Sequence, residues 1–382
     1  MEVRFFKKSE RQLLLDSIDK VWQRNYAYDR AWRQHHAYVR MPEVLEHFVL
    51  NTPYRAEFAG EDNYSYIGMW DDDGQVVGIL GVIPQRFNFF GKEYPSTTST
   101  IWAVDKATKR KGKPIDGLSM SAVYRDKVIW ASVGLALRDD AYRVSEAFGN
   151  CMIKDLPRWI AINNKDAVLE HLLPEGTNPL VLPDARPIDY DGGLKISVDE
   201  LTQSKWDDFY FNVFAPETIG TQRDYRFLKW RYMESPVLKY RFVTVSNDAG
   251  EYLGLAVIRY ESIMDGQFAI GRILEFICLQ SEASIALANA VLKTFPNVIA
   301  WDFYCLSDIT AFGLEAVGFR KVPIWMDQAL LPTRLQPIEL EPKRLKINGS
   351  IYLDERLRFE VNNMANVPWY ITKGDADQDR AN

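Results

Sequence analysis

Two stretches of this chain return about 170 residues further on, and no other feature constrains the fold as strongly. Asp73-Gly74-Gln75-Val76-Val77-Gly78-Ile79 reads like Ala249-Gly250-Glu251-Tyr252-Leu253-Gly254-Leu255. Each is a tight turn followed by a second glycine that opens an apolar strand. Downstream, Glu146-Ala147-Phe148-Gly149 is echoed by Glu315-Ala316-Val317-Gly318. Solenoid periods reach only about 50 residues, so an echo of this length is a domain used twice. Where the copies differ then bears on what each does.

The 382 residues allow two or three domains, and the echo selects two. A net charge of −6 excludes an overall basic field for nucleic acid or an anionic membrane. Cys151, Cys278 and Cys305 lie in apolar contexts without a Cys-x-x-Cys pair, as buried thiols in a reducing compartment would. Met1-Glu2-Val3-Arg4-Phe5-Phe6 has no charged leader before a long apolar run. Apolar windows such as 128–137 fall short of the roughly 20 residues of a membrane helix. The expectation is a cytoplasmic chain with no membrane span.

Periodicity predicts helix, helix, hairpin, strand, helix, strand, helix, strand in each copy. In the first, Ser9-Glu10-Arg11-Gln12 reads as a capping box, 64–70 and 76–90 as the hairpin, and 97–104 and 128–135 as strands. In the second, Ser204-Lys205-Trp206-Asp207 is the capping box, 240–245 and 253–260 the hairpin, and 270–279 and 298–306 strands. Pro174, Pro179, Pro183 and Pro187 mark a linker between the copies. The expected division is a first domain over 1–172, a linker over 173–193, a second domain over 194–335 and a C-terminal extension over 336–382.

This order, with the turn-Gly-strand hairpin and a helix ending in glycine before a last strand, resembles the GCN5-related N-acetyltransferase (GNAT) fold. The resemblance implies an α/β (α+β) chain of two GNAT-like domains in tandem. Each would be a mixed, mostly antiparallel sheet flanked by helices. Shorter motifs resemble tandem-GNAT acyltransferases of bacterial surface-polysaccharide clusters. They are Trp22-x-x-Asn25, Ser99-Thr100-Ile101-Trp102-Ala103-Val104 and Leu156-Pro157-Arg158-Trp159-Ile160-x-Ile162-Asn163. The closing Trp369-Tyr370-Ile371-Thr372-Lys373-Gly374-Asp375-Ala376-Asp377-Gln378-Asp379-Arg380 also resembles the C-terminus of proteins from such clusters. The implied activity is N-acyl transfer from acetyl-CoA or another acyl-CoA to a nucleotide-linked amino sugar. The acceptor is a small molecule lying between the copies, with no nucleic acid and no metal involved, and an oligomer is left open.

Such a transfer needs a pyrophosphate cradle, a base for the ammonium proton and a donor for the thioester oxyanion. The resemblance places the cradle after the fourth strand, where Val104 leads into Lys109-Arg110-Lys111-Gly112-Lys113-Pro114. The family's pattern is Arg or Gln, two residues, Gly, one residue, Gly or Ala. Here Lys109 and Pro114 depart from it and Gly112 keeps to it. A solvated basic loop is the alternative. The second copy has Cys278-Leu279-Gln280-Ser281-Glu282-Ala283 there, without glycine or cation, so only the first is expected to bind coenzyme A.

For the base, Glu275 and Asp302 lie on strands among apolar neighbours, where a carboxyl pKa should rise, and Asp105 ends the fourth strand. Ion pairs with Arg259 or Arg272 would equally account for the first two, and a turn-forming role for Asp105. The family's acid tyrosine, four residues before the helix-ending glycine, is replaced by Ser145 and Leu314, and Tyr142 is a weak substitute. Asn25, Tyr26 and Trp102 are candidate substrate contacts, and Asn25 would also serve as a helix C-cap. The aromatic and polar run Tyr26, Tyr28, Trp32, His35 and His36 suits stacking on a sugar, or a core or interface. Asp375, Asp377 and Asp379 resemble the start of a calcium loop but lack its glycine and glutamate, so a tail docked by charge is expected instead.

Two rivals remain at this level. One is an aminoacyl- or peptidyl-transferase of related tandem fold, opposed by the net charge of −6. The other is a non-catalytic assembly protein, favoured by the missing tyrosine and the altered glycine loop.

Overall fold

The computed structural model describes residues 1–26, 42–105, 116–125, 129–137, 139–172, 175–176, 178, 182–188, 192–295, 297–321 and 347–376. Among these, strands assemble into two sheets. The strands of the first half are β1 (Glu2–Lys7), β2 (Asn63–Trp70), β3 (Val76–Phe89), β4 (Lys92–Val104), β5 (Ala131–Leu135), β6 (Cys151–Ile153) and β7 (Arg158–Ile162). Those of the second half are β8 (Lys195–Val198), β9 (Ile219–Thr221), β10 (Arg241–Ser246), β11 (Tyr252–Ile263), β12 (Phe268–Cys278), β13 (Val298–Tyr304) and β14 (Arg320–Lys321). The C-terminal part adds β15 (Gly349–Leu353) and β16 (Trp369–Tyr370).

The echoed hairpins are β2–β3 and β10–β11, both antiparallel. Their turns need backbone that only glycine adopts readily: Gly74 has φ 73° and Gly250 φ 78°. The Asp71 carboxylate closes the first turn by accepting from the Asp73 and Gln75 amides at 3.1 and 2.8 Å. Two helix starts differ from the expected capping boxes. Glu10 reaches back to the Lys7 amide at 2.8 Å, so the helical stretch begins two residues earlier, with a 3₁₀ turn over Lys8–Glu10. Asp207 accepts instead from the Tyr225 amide of the next helix at 2.7 Å, and Thr202 precedes the helix without a side-chain cap.

The first sheet runs β1-β2-β3-β4-β5-β15-β6, and the second β8-β10-β11-β12-β13-β7-β14. Along each of these two orders one parallel pair interrupts the antiparallel pattern, β4 with β5 and β12 with β13, and the first sheet has a second parallel pair off that path, β16 with β9. The two halves also trade a strand. β7, encoded before the expected linker, lies between β13 and β14, while β15 from the expected extension lies between β5 and β6. A strand's neighbours are set by hydrogen bonds that carry no local sequence mark, and the sequence reading leaves the second exchanged segment inside the extension.

Further ties join the halves. β9 pairs with β3, and β16 with β9. Asn88 donates to the carbonyls of Ala215 and Thr218 at 2.9 and 2.7 Å. The largest buried apolar cluster runs without a break from Leu14, Phe48 and Trp70 to Trp206, Phe276 and Trp301. Among the described residues, no helix is long and apolar enough to cross a membrane.

Candidate active site

The parallel pair of the first half starts as a regular ladder and then opens. β4 pairs with β5 at Ser96, Thr97 and Thr98. On its other edge, Leu80 faces Trp102 while Gly81 faces Thr100, so Ile101 is an extra residue in β4. Its φ of 43° is unusual for a β-branched side chain. A bulge bends its strand and sharpens the twist, and the β4–β5 ladder ends at Thr98, three residues before it. The second half repeats the device. Val257 faces Glu275 and Ile258 faces Ile273, which makes Leu274 the extra residue of β12. The ladder of β12 with β13 ends at Ile273.

What fills the two openings differs. In the first half the opening holds a cleft of about 70 Å³. Ser99 and Trp102 of β4, Ser132 of β5, and Ser350 and Tyr352 of β15 line it. Ser121 comes from the helix Asp116–Arg125, and Val144 and Ser145 from the helix Asp139–Ala147. The walls combine hydroxyl groups with the apolar surfaces of Ile129, Leu137 and Phe148, the mixed lining of a small-molecule site.

In the second half, the C-terminal segment closes the equivalent place. Tyr370 accepts from the Phe276 amide at 3.0 Å and donates to Glu275 at 3.0 Å. Arg223 bridges Glu275 and Asp375 at 2.8 Å each, with all three side chains inaccessible. Tyr232 donates to Glu275 at 2.5 Å. The packing is tight: a Cβ on Gly374 would stand 2.2 Å from the Tyr232 hydroxyl and 2.7 Å from a Glu275 oxygen. Asp375 is thus docked by charge, in the interior rather than on a surface. Asp377 and Asp379 lie outside the described residues.

The expected site residues separate into groups. Trp102 lines the cleft, and Val104 ends β4 opposite Gly78. Asp105 follows at once, buried, its amide donating to the Val77 carbonyl at 2.8 Å; it is not on the cleft wall. Glu275 and Asp302 are also buried away from the cleft. Burial pushes the Glu275 carboxyl up, and Arg223, shared with Asp375, offsets only part of that.

Asp302 goes the other way from the expected rise. Burial alone would raise it, but Arg272 and Arg158 approach at 3.2 and 2.8 Å and hold its carboxyl well below the usual range. Of the two ion-pair partners foreseen, Arg272 is present at Asp302, whereas Arg259 pairs with Glu261. Lys109, Arg110, Lys111, Gly112 and Lys113 lie outside the described residues, as do the side chains of Asn25 and Tyr26 at the end of the helix Arg11–Tyr26. Among the described residues, no cluster of His, Cys, Asp and Glu is placed to hold a metal ion.

Sequence reasoning missed Ser350 and Tyr352, which had been assigned to an extension. A signal was present. In Gly349–Leu353 the polar Ser350 and Tyr352 alternate with Ile351 and Leu353, the pattern of a strand with one polar face.

No family model matches this sequence, and no curated protein matches it significantly. Solved structures do resemble the fold. A protein from Enterococcus faecalis described as a probable N-acyltransferase superposes with a TM-score of 0.52 at 14% identity, covering 84% of this chain and 70% of its own. An N-myristoyltransferase from Saccharomyces cerevisiae with bound myristoyl-CoA superposes with a TM-score of 0.50 at 14% identity, covering 92% and 79%. A GCN5-related N-acetyltransferase from Kribbella flavida does so with a TM-score of 0.50 at 13% identity, covering 85% and 68%. Such likeness over most of the chain establishes the architecture: a mixed α/β, GNAT-like fold.

Proposed function

We propose that this protein is an N-acyltransferase that moves an acyl group, most simply acetyl, from coenzyme A to the amino group of an amino sugar. The observation that carries the reading is the cleft where β4 leaves β5, in a fold shared with N-acyltransferases. Past Thr98 the β4–β5 ladder ends, and we place the amides of a pantetheine chain along the N–H and C=O groups of β4 in that opening. One such N–H would stabilise the thioester oxygen as negative charge develops on it. In sequence, Gly112 falls between β4 and the helix Asp116–Arg125, a position suited to a pyrophosphate. In the second half the C-terminal segment occupies the corresponding space, which supports one coenzyme A per chain. The nucleotide-linked amino sugar rests on the sequence motifs around Trp22, Ser99 and Trp159 alone.

The test is direct. Acetyl-CoA at millimolar concentration should raise the melting temperature, and Gly112→Glu should abolish that shift. Incubation with a panel of nucleotide-linked amino sugars should release free thiol. No shift in the wild type would reject the acyl-CoA site, whereas a shift without thiol release would reject the amino-sugar acceptor.

A further inference from the structure

Acyl transfer to an amine requires one proton to leave nitrogen and one to reach sulfur. The carboxylates that sequence reasoning offered for this work stand away from the cleft: Asp105 is buried beyond the end of β4, and Glu275 and Asp302 are enclosed in ion pairs. Among the described residues lining the cleft there is no carboxylate, histidine, lysine or cysteine. The remaining walls are serines, one asparagine and apolar side chains, apart from a single phenol, that of Tyr352.

Its position follows from the strand exchange. Tyr352 stands opposite Ser132 in the β15–β5 ladder, and Ser132 stands opposite Thr97 in the β5–β4 ladder. Residues paired directly across strands share a face, so the three form a polar row across the paired part of the sheet, one residue before the β4–β5 ladder ends at Thr98. The Thr97 and Ser132 hydroxyls are 3.2 Å apart. Ser145, at the place where the resemblance would put a tyrosine, lines the same cleft from the helix Asp139–Ala147.

We propose that Tyr352, delivered by the exchanged strand, is the proton-transfer residue of this cleft. This rests on the acyl-transfer reading above. The acceptor nitrogen forms a bond to the thioester carbon as the carbonyl pair moves to oxygen. When the carbonyl reforms, the carbon–sulfur bond breaks with its pair on sulfur, and sulfur takes the proton of the Tyr352 hydroxyl. The phenolate then takes the proton shed by the new amide nitrogen. The products are the amide and the free thiol of coenzyme A, with tyrosine restored.

The experiment uses the full chain, acetyl-CoA and whichever amino-sugar acceptor gives the wild type its highest turnover. Tyr352→Phe should lower kcat by about 10²- to 10⁴-fold. The KM for acetyl-CoA and the acetyl-CoA thermal shift should stay within about twofold, which a misfolded variant would not do. The alkaline fall of kcat should disappear in Tyr352→Phe, and 3-fluorotyrosine at this position should move that limb to lower pH. Turnover of Tyr352→Phe within about threefold of wild type, or an alkaline limb unmoved by fluorotyrosine, would overturn the assignment alone. A wild type without a thermal shift or without thiol release would overturn the acyl-transfer reading, and this assignment with it.

Discussion

Arg158 and Arg272 approach Asp302 from strands on either side of it, and Arg223 lies between Glu275 and Asp375. These side chains look catalytic in the sequence because carboxylates on strands among apolar residues are uncommon. The partners of Glu275 and Asp302 come from 30 to 144 residues away, so the ion pairing that occupies them is invisible locally. His47 is a different buried group. Burial first, and the Arg231 guanidinium second, hold its imidazole down at about 4. Between the ordinary value near 6.5 and about 4, the unfolded chain takes up a proton that the folded chain refuses. Stability should therefore fall as pH drops through that window, by about 3 kcal/mol in all. His47→Phe, which keeps a ring stacked on Trp230, should flatten the fall in urea titrations between pH 6.5 and pH 4. An unchanged slope would assign the acid sensitivity to another group.

At the level of elements, local patterning announces the hairpins and the helices, and the bulges escape it. A residue with positive φ is ordinarily glycine or asparagine, yet Ile101 holds that place in β4. Nothing in Ser99-Thr100-Ile101-Trp102 marks it. β15 was misjudged in another way, as part of an appendage. Its Ile351 is buried and faces Val133 on one side and Cys151 on the other. Ile351→Ala should accordingly cost about 2–5 kcal/mol in chemical denaturation, as for a core position. A loss below about 0.5 kcal/mol would place the strand at the periphery instead.

At the level of the whole molecule, the exchange of β7 and β15 makes each sheet depend on chain from the other half. Tandem domains joined only by a linker often unfold separately. Here neither sheet is complete alone, and one apolar cluster spans both halves. Far-ultraviolet circular dichroism and tryptophan fluorescence should report one coincident transition in urea. Residues 1–172 and 194–382 expressed separately should fail to fold until mixed. Two resolved transitions would contradict this.

The sequence by itself determined that a fold is used twice, where its hairpin turns lie, and that the two copies had diverged, because turns and amphipathic periods are written within a few residues. Only the tertiary structure decided which strands are exchanged, where the parallel pairs open, and which opening stays a cleft. Those outcomes depend on hydrogen-bond register and on contacts between residues far apart in the chain, which short-range patterning does not encode. Tyr352 shows the difference: its alternation with Ile351 was legible, but its neighbours Ser132 and Ser145 belong to elements more than 200 residues earlier.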